Sequence, residues 1–148
     1  MDGDGKRFDR SKFDWVSYQM GVIAAFAEVV GNGCKRLALS SPMTRERLDS
    51  IIDDVSLIAH ERGIVLHVDE DFLETQLFDP EHTRGKHVIH IAADQGVVDE
   101  YMAMKALKRR HEEDGTLGEV ENELAWGIGR LLSYDDGSIE RLLREPGG

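Results

Sequence analysis

Six residues have the types and spacing to hold an anion: Ser40, Ser41, Thr44 and Arg45, with Arg84 and Lys86. The run Ser40-Ser41-Pro42-Met43-Thr44-Arg45 follows a strand-like segment and opens a helical one. Hydroxyls and free helix amides at such a junction can hold a phosphate or carboxylate, and open α/β sheets bind ligands at the carboxyl edge of their strands. Arg84 and Lys86 would clamp the anion from another strand end if the loop before them folds back. No glycine-rich loop is present to wrap a phosphate as a P-loop does. The plain alternative is that Ser41 and Thr44 cap the helix and Pro42 stiffens the turn.

A second set, His67, Asp69 and His90, has the chemistry of a metal site with open positions. His67 and Asp69 alternate onto one side of a strand. His90 joins them only if the next strand pairs in the right register, because one residue of slip turns it to the other face. Half-buried or surface histidines are the plain alternative. Asp69, Glu70, Asp71 and Glu74, followed by Arg84 and Lys86, make an acidic-to-basic loop. Its carboxylates do acid–base work only if burial raises a pKa. Lys105, Lys108, Arg109, Arg110 and His111 load the end of a helix, where cations complement the negative end of its dipole. The chain has no Ser-His-Asp order, no Gly-x-Ser-x-Gly and no dinucleotide fingerprint, and no cofactor is indicated.

The elements that position these groups centre on residues 35–71, which read strand, helix, strand. Leu37 and Leu39 alternate with Arg36 and Ala38. Leu48, Ile51, Ile52, Val55, Ile58 and Ala59 then repeat at helical spacing over residues 44–62. Thr44 is the expected cap, Met43 the expected staple against Leu48, and Gly63 the expected stop. Ile64, Leu66 and Val68 alternate again, which predicts a parallel βαβ unit. Residues 87–93 read as a third strand, paired antiparallel with the second because no crossover helix fits between them. The connection 69–85 has no long period. It reads as a binding loop or lid, or as a short strand over 72–78.

A first helix is expected from a Ser11–Asp14 capping box to about residue 30, apolar on two sides. Asp94 caps a third helix to about residue 111, and Thr116 with Glu119 opens a fourth. A short fifth helix covers 138–144. Gly127 and Gly129, inside the fourth, cost helix stability and point to close approach by another element.

The predicted fold is α/β: a small mixed sheet of three or four strands, containing the βαβ unit, packed with four main helices. The expected organisation is a flexible tail at 1–10, one domain at 11–145 and a tail at 146–148. The 148 residues suffice for one real core, and a net charge of -11 argues against a broad nucleic-acid surface. The first helix is too short and too interrupted, by Gln19 and Glu28, to span a membrane. One cysteine, Cys34, excludes an intramolecular disulfide framework. With no apolar leader at the start, the expectation is a cytoplasmic protein. The foremost functional expectation is a non-catalytic interaction or regulatory domain, a homo-oligomer through helix 11–30. The alternative is a protein or enzyme handling a small anionic ligand at Ser40, Ser41, Thr44, Arg45, Arg84 and Lys86. A metal-dependent hydrolase using His67, Asp69 and His90 comes last.

Overall fold

The structure, a computed structural model, describes residues 6–144. The expected tail at 146–148 and the first half of the tail at 1–10 lie outside the described residues. Five helices and three strands follow in the order α1 (Trp15–Gly31), β1 (Leu37–Leu39), α2 (Arg45–Arg62), β2 (Val65–Asp69), β3 (Val88–Ala92), α3 (Gln95–Asp114), α4 (Glu121–Leu131) and α5 (Asp136–Arg144). The α/β class and the four main helices are those the sequence predicts, and three strands fall within the predicted three or four, but the sheet is antiparallel where the sequence predicts a mixed one.

The sheet order is β1-β3-β2. β1 and β2 run parallel to each other, as strand–helix–strand reading requires, but β3 lies between them and both ladders are antiparallel. Composition explains the insertion. Val88, Ile89, Ile91 and Ala92 are apolar on both faces and fully buried, which suits the central strand. Residues 65–68 are only half-buried, as befits an edge. The sheet divides two cores. Ala38, Ile89 and Ile91 pack with Ile23, Ala27, Ile51 and Val55 of α1 and α2. Leu37, Val88 and Ala92 pack with Tyr101, Ala125, Ile128 and Ile139 of α3, α4 and α5. Each buried Ile or Val contributes about 1.5–3 kcal/mol relative to exposure.

Helix α2 has the expected ends. Thr44 Oγ1 accepts from the Arg47 amide at 3.3 Å, and Gly63 stops the helix in the left-handed conformation at φ 67°. Met43 and Leu48 are buried in one cluster, consistent with the staple. Asp94 caps α3 through the Val97 amide at 3.1 Å. Two expected starts move. Asp14, not Ser11, caps α1, accepting from the Ser17 amide at 3.0 Å, while Asp9 caps a separate 3-10 turn, Arg10–Lys12. Thr116 caps nothing with its side chain. Its hydroxyl sits 2.8 Å from His111 Nδ1, and a 3-10 turn, Leu117–Glu119, precedes α4. Between β2 and β3 the chain forms no strand at 72–78. It is an irregular loop with one 3-10 turn, Pro80–His82, and it buries Phe72, Leu73 and Leu77.

Candidate functional site

The residues of the expected anion site do not present free groups to a common point. Leu39 to Met43 carries one residue more than His87 to His90 opposite, between the Leu39–His90 pair and the Met43–His87 bridge. Ser40 fills the resulting bulge: its hydroxyl accepts from the Ile89 amide at 2.9 Å and donates to the Ser41 carbonyl at 3.0 Å. It is buried and its hydrogen bonds are committed to the sheet. Ser41 accepts from Gln19 Nε2 of α1 at 3.5 Å. Thr44 caps α2, and Arg45 Nε pairs with Asp49 at 3.0 Å on the same helix. Arg84 forks onto both oxygens of Glu74, at 2.7 and 3.1 Å, and that bond holds the Glu74 carboxyl below its ordinary value. Lys86 is exposed.

The second set does come together. In the β2–β3 register His67 stands opposite His90, so His67, Asp69 and His90 share one sheet face. That face is covered by α3. Asp69 is 3% and His90 1% exposed, and two residues of α3 one turn apart complete the cluster. Tyr101 donates its hydroxyl to Asp69 Oδ2, and Lys105 Nζ lies 2.9 Å from Asp69 Oδ1. The Asp71 amide donates to Oδ1 at 3.0 Å, and the Tyr101 oxygen accepts from the Leu73 amide at 2.8 Å. His90 Nε2 sits 3.4 Å from Asp69 Oδ2, close enough for the two to interact but without a well-aligned hydrogen bond.

The electrostatics follow. Burial alone would raise the Asp69 carboxyl, but His90, Tyr101, Lys105 and the Asp71 amide together hold it well below the usual carboxylate range. Burial pushes His90 below the ordinary imidazole value, more than Asp69 pushes it up. Burial, then Asp69, push the Tyr101 phenol up. Chemically this is a buried ion pair with its donors matched, which ties β2, α3 and the start of the loop together. With Tyr101, Lys105 and an amide on its oxygens, Asp69 has little lone-pair capacity left for a metal. Among the described residues no group of three or more His, Cys, Asp or Glu is placed to hold one. In the sequence Lys105 reads only as part of a basic helix end, and Tyr101 lies one turn before it on the same helix. The usable signal was their four-residue spacing on one helix face.

The described residues also form several concavities. A cavity of about 310 Å³ opens where the carboxyl end of β1 meets the loop and α5. Of the expected anion-site residues only Ser40 lines it. A shallow groove of about 570 Å³ runs along the outside of α1, lined by Phe13, Ser17, Tyr18, Gly21, Val22 and Ala25 among others. Rings of Phe8, Phe13 and Tyr18 stack along its edge, with centroids 5.2 and 4.6 Å apart. Among the described residues no helix is long and apolar enough to cross a membrane. No family model, curated protein or solved structure matches the chain.

Proposed function

We propose that the protein is a non-catalytic interaction domain that docks through the outer face of α1, and that its partner is a second copy of the chain. The observation that carries the reading is the outer face itself. Seventeen residues of α1 include one charged side chain, Glu28, in a chain of net charge -11. Tyr18 and Val29 of α1, and Phe8 and Phe13 before it, are large apolar groups left exposed. Ser17, Gly21 and Ala25 recur one turn apart between them, which lets a second helix approach closely. A second copy is favoured because a two-fold contact pairs this face with itself, bringing together two helices that each carry one charged side chain, with Lys12 and Asp14 at the rim of the groove. Ser40 and Asp69 are buried and bonded within the fold, and Thr44, Arg45 and Arg84 are each engaged by a neighbour at the surface, which supports a role without catalysis. The exposed Cys34 thiol fits a reducing cytoplasm, the compartment we propose.

Sedimentation over a wide concentration range tests this. The wild type is expected to dimerise. Gly21→Glu is expected to stay folded and monomeric, because a Cβ at Gly21 meets nothing within 4 Å in the monomer. A wild type that is monomeric throughout sinks the self-association, and a dimer indifferent to Gly21→Glu removes it from α1.

A further inference from the structure

We propose that the cavity beside β1 is a binding site for a small cationic amphiphile: an aromatic or compact aliphatic body carrying an ammonium head. The site is independent of the α1 face. Its volume, about 310 Å³, lies at the small end of ligand clefts, which run from about 300 to 1,000 Å³.

The loop between β2 and β3 supplies half of the lining residues, so this long connection has a surface to form as well as a gap to cross. Leu39, Val88 and Leu142 give an apolar floor, and the rings of Phe72, Phe78 and Tyr134 give the walls. Phe78 and Tyr134 meet edge to face at 6.5 Å between centroids. An apolar body of one ring is what such walls receive.

The polar groups decide the head. Among the described residues no Lys or Arg lines the cavity, and the one carboxylate that does is Asp79. Asp79 Oδ1 is occupied, accepting from the Glu81 amide at 3.0 Å. Oδ2 makes no hydrogen bond among the described residues: His82 is 3.9 Å away on a side chain that is 73% exposed, and Arg84, which interacts with the same carboxylate through space, is paired with Glu74. One carboxylate oxygen is therefore open beside aromatic faces, which attract cations. Lys35 demonstrates that attraction, with Nζ 5.2 Å from the centroid of the Tyr134 ring. The Tyr134 hydroxyl has no hydrogen-bond partner among the described residues and offers an acceptor or a donor to the same head. An anion would meet Asp79 and the repulsion of a chain of net charge -11. The predicted ligand is thus opposite in charge to the one expected from the serines and arginines.

The test is titration of isotope-labelled protein with phenethylamine and, separately, with phenylacetate, read from amide chemical shifts. Phenethylamine is expected to give saturable shifts confined to residues 39–42, 72–83, 134 and 142, and phenylacetate at least about tenfold weaker ones. Asp79→Asn is expected to lower the amine affinity about tenfold or more, as a lost charged hydrogen bond does. Leu142→Trp, which fills the cavity from its floor, is expected to abolish binding while the spectrum stays that of a folded protein. No localised shifts with the amine, equal binding of the carboxylate, or amine binding unaffected in both variants would each overturn the proposal.

Discussion

The Tyr101 hydroxyl donates to a carboxylate and accepts from a backbone amide, and both groups are buried. Tyr101→Phe keeps the ring in the core but leaves the Leu73 amide without an acceptor and Asp69 without one donor. The expected loss is about 2 kcal/mol of unfolding free energy, with faster hydrogen exchange at the Leu73 amide. An unchanged denaturation midpoint would show that water replaces the hydroxyl at no cost. His90 makes a separate prediction in pH. Burial holds its folded-state value below the ordinary one, despite the opposing pull of Asp69. The unfolded chain therefore takes up a proton near pH 6.5 that the fold refuses, and stability falls as pH drops below about 6.5 by up to ~1.4 kcal/mol per unit. Asp69 acts lower: its depressed carboxyl contributes stability that is complete above about pH 4 and is lost as pH falls toward the folded value. Denaturation midpoints against pH should show the upper decline in the wild type and not in His90→Leu. A decline of equal slope in that variant would assign it to other groups.

Among the elements, two glycines of α4 separate packing from propensity. A Cβ at Gly129 would lie 2.7 Å from Ile139 Cγ1 and 2.8 Å from its Cδ1. Ile139 is fully buried on α5, so its side chain has little room to turn away and either it or α5 must shift. A Cβ at Gly127 meets Met104 Sδ at 2.8 Å, at the far end of a flexible side chain that can turn away. Gly129→Ala should lose stability, because overpacking costs about 1–3 kcal/mol against a helix gain of ~1 kcal/mol. Gly127→Ala should be neutral or gain up to ~1 kcal/mol. Urea denaturation gives the order of the two, and the reverse order would refute the packing argument. The close approach at both glycines was legible in the sequence, and so were the ends of α2, because Thr44 and Gly63 act on their own neighbours. The start of α1 was less legible, since Asp9, Ser11, Asp14 and Ser17 offer capping groups at repeated spacing and the backbone used two of them. The sheet order depended on partners about fifty residues apart. Its one local trace was a third strand apolar on both faces. The His67–Asp69–His90 face followed from period-two alternation, but the side chains that engage Asp69, Tyr101 and Lys105, come from a helix that no strand pattern can place. The cavity was least legible: Asp79, His82 and Tyr134 become neighbours only when an irregular loop closes over β1.

For the whole molecule, charge sets the terms of association. A chain of net charge -11 repels its copies at long range, and the repulsion is not confined to the surface that docks. Helix α1 contributes almost nothing to that field, and its exposed Tyr18 and Val29 gain by leaving water whatever the salt. The two contributions respond differently to ionic strength. Salt shortens the range of the repulsion, from about 10 Å at 0.1 M to about 3 Å at 1 M, while the apolar contact persists. A dimer through α1 should therefore tighten as sodium chloride is raised, chiefly through faster association of the two acidic molecules. A dimer held by ion pairs, such as one joining the basic end of α3 to the acidic start of α4, should loosen over the same range. Sedimentation equilibrium at low and high salt distinguishes them. Tightening in the wild type, with Gly21→Glu monomeric at both, would bind the acidic composition and the uncharged helix into one mechanism of assembly. Loosening would leave α1's exposed face without a part in it.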